Sequence, residues 1–215
     1  MLKKIIKKII KKIIGKNKFN SVNYWENRYA AGGNSGDGSY GRLAVFKAEF
    51  INKFIDEVNI NSATEMGCGD GHQLSIINYP NYTGLDVSST IIGQCNIKFQ
   101  DDITKSFVVY EPEKFVPIES LKSDVALSLD VLYHIVEVDK YHKYLQDLFS
   151  LGKKYVVVYS TNFNLEETEH VLHRKFTEDV KRFKDWSLTE EVKNPFPGNG
   201  EQESMANFFI FVKKD

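Results

Sequence analysis

The stretch from Ala63 to His72, with the sequence ATEMGCGDGH, constrains the fold of this chain more than any other. Glycines at the alternate positions 67, 69 and 71 leave one side of a turn without Cβ atoms, so the backbone can adopt a positive φ and lie against a ligand. We predict that a first β-strand ends here and turns into a helix, whose free N–H groups would face the ligand. A turn of this kind suits any nucleotide and indicates an α/β fold.

The spacing of these glycines argues against a dinucleotide-binding motif, G-x-G-x-x-G, because that motif requires a glycine at position 72, which is His72. A second predicted strand, Tyr82 to Asp86, ends in an acid about twenty residues after the glycine motif begins, where a carboxylate that binds a ribose is expected. Asp86 can accept hydrogen bonds from both ribose hydroxyls. The alternative interpretation is that Asp86 caps a helix that begins near Ser88.

These residues resemble motif I of the class I S-adenosylmethionine-dependent methyltransferases, E/D-x-G-x-G-x-G, which is matched by Glu65, Gly67, Gly69 and Gly71. Within that family, the resemblance points to a bacterial subgroup that methylates small molecules or glycans. It implies S-adenosyl-L-methionine as the cofactor, with the glycines against its methionine and ribose parts. It also implies that Glu65 helps to hold the amino end of the cofactor and that Asp86 holds the ribose.

The rest of the chain alternates predicted helices and strands. After a helix from Leu43 to Val58 and the two strands above, the further elements are predicted at Phe107 to Tyr110, Asp124 to Ile135, Tyr141 to Phe149, Tyr155 to Ser160, Trp186 to Val192 and Asn207 to Val212. The last two strands can pair antiparallel. This order predicts an α/β three-layer sandwich with a Rossmann-like, mostly parallel seven-stranded sheet and an antiparallel last strand. The resemblance to methyltransferases covers residues 21 to 215.

The third predicted strand supplies a second acid. It ends at Tyr110, and Glu111 follows directly, so Glu111 is our candidate for the acid that contacts the adenine edge of the cofactor. Asp101 and Asp102 follow Asp86 too closely for a helix and a strand to fit between them. We therefore expect Asp101 and Asp102 in a solvated turn.

The fourth predicted strand is an apolar run of the kind that is buried in a parallel sheet. Asp130, Tyr133 and His134 follow it and would lie at the carboxyl edge of the sheet, where ligands bind. We expect Asp130 at the cofactor. The resemblance places this segment beside the transferred methyl group, and an imidazole suits proton removal near neutral pH, so His134 is the candidate general base. The alternative is that His134 only orders the loop.

The region before the first strand carries a further part of the resemblance. Its sequence YWENRY, followed by GGNSG, is similar to the N-terminal region of a bacterial methyltransferase subgroup. The glycine-rich residues 32–41 form either a flexible linker or a lid over a ligand, and the aromatic residues before them favour the lid. The resemblance implies that Arg28 neutralises the carboxylate of the cofactor. The alternative is that Arg28 forms an ion pair on the surface.

Three basic or titratable side chains, His170, His173 and Arg174, precede another predicted helix. They favour a pocket for an anionic or polyhydroxyl group, so we expect His173 and Arg174 to position the acceptor; the alternative is ordinary surface charge. His170 and His173 are three residues apart and could share a metal ion. No third ligand has matching spacing, so we expect no metal.

The first fifteen residues lie outside the resemblance and repeat the pattern Lys-Lys-Ile-Ile. On a helix, the isoleucines of residues 1–14 fall on one half and the six lysines on the other. Such a helix would be about 21 Å long and is interrupted by charges, so it cannot span a bilayer. We predict that it lies on an anionic membrane surface. Two alternatives remain: the apolar face packs on the domain or on a second copy, or the lysines bind nucleic acid.

The distribution of charge and the two cysteines limit the possible partners and the cellular compartment of the protein. Residues 1–18 carry eight lysines and no acid, and because the net charge of the whole chain is −1, the remainder carries −9. An acidic remainder argues against a broad phosphate-binding face, so nucleic acid is not an expected partner. Cys68 and Cys95 have no metal-ligand spacing and indicate a reducing compartment. We expect a cytoplasmic protein that is peripheral on the inner face of a membrane.

These predictions converge on an S-adenosylmethionine-dependent methyltransferase that methylates an oxygen of a small molecule or glycan precursor. The alternative is a non-catalytic cofactor-binding or scaffold protein that is recruited through its basic helix. We predict a basic helix of residues 1–15 and a methyltransferase domain of residues 16–215, in which residues 16–60 form N-terminal helices and the lid. The acceptor, the choice between oxygen and nitrogen, and the oligomeric state remain open.

Overall fold

The computed structural model describes residues 19–214. The predicted basic helix of residues 1–15 lies outside this range. The described helices and strands are α1 (Ser21–Ala30), α2 (Gly41–Glu57), β1 (Ala63–Met66), β2 (Tyr82–Asp86), α3 (Ser89–Lys98), β3 (Lys105–Val109), β4 (Ser123–Leu129), α4 (Val138–Leu151), β5 (Gly152–Ser160), β6 (Leu165–Thr168), β7 (Val171–His173), α5 (Phe176–Val180), β8 (Trp186–Val192) and β9 (Asn207–Lys213). None of these helices is long and apolar enough to cross a membrane.

Seven of the strands form one sheet in the order β3-β2-β1-β4-β5-β9-β8. Strands β1 to β5 pair in parallel, whereas β9 pairs antiparallel with both of its neighbours. Parallel neighbours need crossover connections, and α3 and α4 supply two of them. The structure therefore confirms the predicted Rossmann-like sheet, mostly parallel with an antiparallel last strand.

The sheet separates two hydrophobic cores, and the alternation of side chains along β9 shows how. Phe208 and Ile210 belong to the core on the side of α2, whereas Phe209 and Phe211 belong to the core on the side of α4. Because both faces of the sheet are covered by helices, the central strands consist largely of apolar residues. These helix, sheet and helix layers are the predicted three-layer sandwich.

The connection from β1 to β2 differs from the prediction. No α-helix follows the glycine loop, and only a 3-10 turn, Leu74–Ile76, lies between the two strands. The connection is short and includes Asn78, Pro80 and Asn81, and residues of these types favour turns over helix. The prediction of a helix that starts at the glycine loop was therefore wrong, and no helix N-terminus contributes N–H groups there.

A second sheet, formed by β6 and β7, was not predicted. All residues of β6 are exposed. Its sequence therefore lacks the alternating pattern by which a half-buried strand is predicted. The hairpin lies against the 3-10 turn Leu132–His134, which follows β4. It thereby covers the segment that carries the candidate base.

Candidate functional site

A cavity opens at the carboxyl ends of β1, β2 and β4, the edge at which ligands bind in open α/β sheets. Its walls come from α1, the loop after α1, α2, the glycine loop, the ends of β2 and β4, and the start of α4. The predicted site residues that line it are Glu65, Gly67, Gly69, Asp86, Asp130 and His134. The predicted site residues that do not line it are Arg28, Gly71, Glu111, His173 and Arg174.

The glycine loop has the left-handed backbone that its sequence predicts. Gly67 and Gly69 have φ values of +83° and +57°. A Cβ at Gly67 would lie 2.4 Å from Val131 Cγ2, and a Cβ at Gly69 would lie 2.3 Å from Ser35 Oγ. Neither position has room for a side chain. Gly71 also has a positive φ, of +67°, but it faces α3 and not the cavity.

Asp86 joins the glycine loop to the end of β2. Its Oδ2 accepts a hydrogen bond from the Gly69 N–H at 3.0 Å, and its Oδ1 accepts one from the Ser88 N–H at 3.0 Å. Ser88, not Asp86, caps α3, because the Ser88 Oγ accepts from the Ile91 N–H at 3.1 Å. Burial raises the pKa of Asp86 to about 6. The carboxylate therefore lies at the cavity wall in the position where a ribose-binding acid is predicted.

Glu65 is buried beneath the cavity, with 3% of its surface exposed. Its Oε2 accepts a hydrogen bond from the Tyr82 hydroxyl at 2.7 Å. Burial raises the pKa of Glu65 to about 7, and the nearby charge of Asp86 adds to the rise, whereas the Tyr82 hydrogen bond and the Lys47 charge oppose it. Glu65 is therefore a carboxyl group that gains or loses its proton near neutral pH.

We expect Glu65 to lower the free energy of unfolding as the pH rises from about 4.5 to about 7. In this window the folded protein holds a proton that the unfolded chain has released, because the pKa in the folded state is about 7 against an ordinary value of 4.5. The loss is about 3 kcal/mol at 1.36 kcal/mol per pKa unit. Asp86 contributes a smaller loss of the same sign, since its pKa is also raised.

Denaturant unfolding of Glu65→Gln at pH 5 and pH 8 measures this effect. The difference in free energy of unfolding between the two pH values should shrink in the variant. Glu49, which is exposed on α2, provides the matched control, and Glu49→Gln should behave as the wild type does. An unchanged pH dependence in Glu65→Gln would show that Glu65 ionises normally.

Arg28 lies on α1 but does not reach the cavity wall. Its Nε donates to the Asn34 carbonyl oxygen at 2.6 Å, and its Nη2 lies 3.2 Å from Asn34 Oδ1. Trp25 and Tyr29, from the same helix, line the cavity instead. Arg28 thus stabilises the glycine-rich loop through Asn34. The structure does not bring Arg28 to the cavity, where the resemblance implies that it neutralises the carboxylate of the cofactor.

The glycine-rich loop is tied down over the glycine motif by Asp70. The Asp70 Oδ2 accepts from the Ser35 N–H and from the Tyr40 hydroxyl, each at 2.8 Å. In return, the Asp70 N–H donates to Ser35 Oγ at 2.9 Å. Hydrogen bonds to Asp70 therefore hold the loop against the glycine motif. The sequence analysis did not single out Asp70, although its place between two motif glycines was visible.

The helix α1 is fastened to the start of α3 by Glu26. The Glu26 Oε2 accepts from Ser88 Oγ at 2.6 Å and from the Thr90 N–H at 3.3 Å. These bonds lower the pKa of Glu26, the Ser88 bond most. Because Ser88 also binds Asp86, the contact connects the covering helix directly to the acid at the end of β2.

Glu111 points away from the cavity. β3 ends at Val109, and Tyr110 turns inward, where its hydroxyl donates to Asp147 Oδ2 at 2.7 Å. Glu111 is exposed and pairs with Lys114. Tyr110 and Pro112, on either side of Glu111, line the cavity. The structure therefore does not bring Glu111 to the predicted adenine contact.

Asp130, directly after β4, has the left-handed backbone conformation, with φ of +60°. Its Oδ1 accepts from the Tyr133 hydroxyl at 2.7 Å, and its Oδ2 accepts from Lys47 Nζ at 2.6 Å. A non-glycine residue with this φ is strained and persists only where its surroundings hold it. The two hydrogen bonds supply that support, and they keep Asp130 at the cavity wall.

His134 lines the cavity from the 3-10 turn after β4. Its Nδ1 lies 3.4 Å from the carbonyl oxygen of His170, and its ring meets the edge of Trp25 at a centroid distance of 5.2 Å. Burial lowers the pKa of His134 to about 4. The imidazole is therefore neutral at pH 7. Because the carbonyl can only accept, the ring proton is assigned to Nδ1, which leaves Nε2 able to accept a proton.

His173 and Arg174 do not line the cavity. His173 is buried and bonded at both ring nitrogens, to Thr161 Oγ1 at 2.8 Å and to Glu167 Oε2 at 2.7 Å. Arg174 donates to the carbonyl oxygens of residues 135 and 136, at 2.7 and 2.9 Å. Arg174 thereby binds the segment that directly follows the turn carrying His134, and the ring of His173 lies 5.6 Å from the ring of Tyr133 in that turn. Their placement does not support the predicted direct contact with the acceptor.

The polar residues that line the cavity but were not predicted include Lys47 and Gln73. Lys47 interrupts the apolar stripe of α2, which includes Leu43 and Ile51, at a spacing of four residues on either side. A single charge on a buried helical stripe is unusual and was the signal available in the sequence. Gln73 had no comparable signal.

A comparison with known families finds a match that includes most of the cavity-lining strand ends. Residues 64–157 match a family model described as a methyltransferase domain. The match runs from β1 into β5 and therefore contains the glycine loop, Asp86, Asp130 and His134. This part of the chain, less than half of its length, is therefore similar to a methyltransferase domain. No protein of curated function matches the chain.

Solved structures of methyltransferases share the fold. The N-methyltransferase NodS from Bradyrhizobium japonicum WM9, in complex with S-adenosyl-L-homocysteine, has a TM-score of 0.70 at 13% identity over 92% of this chain and 100% of its own. The magnesium protoporphyrin IX methyltransferase from Synechocystis PCC 6803, with the same ligand bound, has a TM-score of 0.62 at 15% identity over 95% of this chain and 100% of its own. An S-adenosylmethionine-dependent methyltransferase from Clostridium acetobutylicum ATCC 824 has a TM-score of 0.61 at 12% identity over 88% and 99%. The S-adenosyl-L-homocysteine in the first two structures is the demethylated form of the predicted cofactor.

Proposed function

We propose that the chain transfers a methyl group from S-adenosyl-L-methionine to an oxygen of a small molecule or glycan precursor. The observation that carries this proposal is the shared cavity of Asp86 and His134. Asp86 lies beside the closely packed glycines at one part of the wall, and a neutral imidazole that can take a proton lies at another. A cofactor anchor and a base are thus enclosed together beneath α1 and the lid loop.

The division of roles follows from the chemistry of each group. The cofactor, when bound, supplies an activated methyl group, so the protein has to align an acceptor and remove its proton. Asp86 accepts hydrogen bonds from the ribose hydroxyls, and Gly67 and Gly69 let the backbone approach the ligand. His134 Nε2 takes the proton of the acceptor hydroxyl. The negative charge of Asp130 raises the pKa of His134 and so favours the protonated ring that this step forms.

The residues around His134 support the proposal that the acceptor is a small molecule. Trp25, Val22, Val131 and Ile135 contribute apolar surface to the cavity near this segment, and α1 covers it. An acceptor with an apolar or ring-shaped part and one hydroxyl fits such a wall better than a phosphate backbone does. The named relatives include an N-methyltransferase and a magnesium protoporphyrin IX methyltransferase, so the fold alone does not select the acceptor.

Isothermal titration of the full chain with S-adenosylmethionine, and separately with NAD, tests the proposal. We expect S-adenosylmethionine to bind and NAD not to bind, because position 72 is His72 and lacks the third glycine of the dinucleotide motif. Binding of NAD alone would contradict the proposal. Binding of S-adenosylmethionine without methyl transfer to any hydroxylated acceptor would favour a cofactor-binding or scaffold protein.

We further propose that residues 1–15 form a separate segment that holds the methyltransferase domain at an anionic membrane surface. The proposal rests on the sequence, in which lysines and isoleucines alternate in pairs. Each lysine near such a surface contributes about 1 kcal/mol.

Co-sedimentation of the full chain with vesicles tests this membrane proposal. Binding to vesicles that contain an anionic lipid should fall at least tenfold when the six lysines of residues 1–14 are replaced by glutamine. Vesicles of neutral lipid serve as the control and should bind both chains weakly. Equal binding of both chains to anionic vesicles would contradict the proposal.

A further inference from the structure

Polar groups that have no role in the proposed transfer lie where α2 meets the glycine loop. Lys47, on α2, has only 1% of its surface exposed, and Gln73, shortly after the glycine loop, has 6%. Both residues line the cavity. The Gln73 Nε2 donates to the carbonyl oxygen of Ala44 at 2.9 Å, and Ala44 lies one helical turn from Lys47. Gln73 is therefore bonded to the turn of α2 that leads to Lys47, and both side chains line the same cavity.

Lys47 has more hydrogen-bonding capacity than the protein uses. An ammonium group has three N–H donors. Within residues 19–214, the single hydrogen bond found for Lys47 Nζ goes to Asp130 Oδ2 at 2.6 Å. On another side, Nζ lies over the ring of Tyr159, 5.3 Å from its centroid. A buried cation at the cavity wall thus retains donors for an anionic ligand.

The side chain of Gln73 has a hydrogen-bond acceptor to which no group in the described part of the chain donates. Its Nε2 is bound to the Ala44 carbonyl, which fixes the orientation of the amide, because a carbonyl can only accept. Its Oε1 is buried and has no hydrogen-bond partner in the described part of the chain. Buried polar atoms are almost always paired, so an unpaired acceptor on a side chain that lines the cavity indicates a missing donor.

We infer that Lys47 and Gln73 hold the amino-acid end of the cofactor, Lys47 binding its carboxylate and Gln73 accepting from its ammonium. An α-amino acid carries both charges on one carbon, and a spare donor beside a spare acceptor matches that arrangement. Arg28, the cation implied by the resemblance, is committed to Asn34. Asp130 positions Lys47 and partly neutralises it. This inference rests on the proposed function, since it assigns residues to the same cofactor.

Three ligands separate the two contacts in a titration of the full chain. S-adenosylmethionine has both groups, its decarboxylated form lacks only the carboxylate, and 5′-methylthioadenosine lacks the whole amino-acid end. Lys47→Met should weaken binding of S-adenosylmethionine about 10- to 100-fold, the value of a hydrogen bond to a charged group, and should leave the other two affinities unchanged. Gln73→Leu should weaken binding of the first two ligands about tenfold and leave 5′-methylthioadenosine unchanged.

Comparison of the ligands also controls for damage to the fold. Lys47→Met leaves Asp130 without its partner, so the double variant Lys47→Met with Asp130→Asn is measured beside it and should show the same selective loss. Lys47→Arg should retain part of the preference for the carboxylate. An equal loss for S-adenosylmethionine and its decarboxylated form, or no loss for either, would overturn the inference. Failure of the unaltered chain to bind any of the three ligands would instead contradict the proposed function.

Discussion

Replacement of Asp86 by alanine is expected to weaken the binding of S-adenosylmethionine about a thousandfold. Each hydrogen bond to a charged carboxylate contributes about 1.5 to 3 kcal/mol, and the proposed role of Asp86 includes two of them, to the ribose hydroxyls. The same change also frees the Gly69 N–H, which Asp86 Oδ2 binds at 3.0 Å. Titration calorimetry measures the affinity, and a thermal melt of each sample shows whether the variant is folded.

Matched variants make this result specific. Asp101 is exposed in the turn after α3, so Asp101→Ala should bind the cofactor as the unaltered chain does. In the unaltered chain, affinity should fall as the pH falls through about 6, because the free protein then protonates Asp86 and loses the charged acceptor. A folded Asp86→Ala variant that keeps more than a tenth of the affinity would remove Asp86 from the proposed site.

Replacement of His134 by alanine is expected to lower the rate of methyl transfer about 10²- to 10⁴-fold, the usual contribution of a positioned base. The affinity for the cofactor should stay within about threefold of its original value, since the proposed role of His134 concerns the acceptor. Turnover is measured with methyl-labelled S-adenosylmethionine and a hydroxylated acceptor found by screening small phenols, sugars and glycan precursors. Full turnover in His134→Ala would eliminate the proposed base.

The pH dependence of this reaction provides an independent check. Burial lowers the pKa of His134 to about 4, so the ring stays neutral and able to accept a proton across the range from pH 8 to pH 5. With saturating cofactor, the rate should therefore lack the decline near pH 6.5 that an exposed histidine base produces. His142, on α4 outside the cavity, is the control, and His142→Ala should leave the rate unchanged.

The elements that the sequence predicted correctly depend on local chemistry. Gly67 and Gly69 adopt a positive φ, as alternate glycines in a turn allow. Asp86 ends β2 because an apolar strand stops where a buried acid can bind the N–H groups of the next turn. Ser88 caps α3, as a serine before a helical stretch commonly does. Each of these features is decided within a few residues of chain.

The predicted site residues that do not line the cavity show how the direction of a side chain at the end of an element decides its contacts. Glu111 follows β3, but Tyr110 takes the inward position and Glu111 the outward one, and a shift of one residue reverses this choice. Arg28 lies on the helix that covers the cavity, yet it faces the loop after that helix. His173 binds Glu167 and Arg174 binds the Ile135 carbonyl, so neither side chain lines the cavity.

The sequence by itself determined the class of the fold, the glycine loop and the acid at the end of β2, because periodicity, glycine and strand-ending acids are properties of short segments. Only the tertiary structure decided that Lys47 and Gln73 share the wall of the same cavity, and that the hairpin β6–β7 supports His134. These contacts join residues far apart in the chain. Their geometry follows from how helices pack on the sheet, and no local pattern encodes that packing.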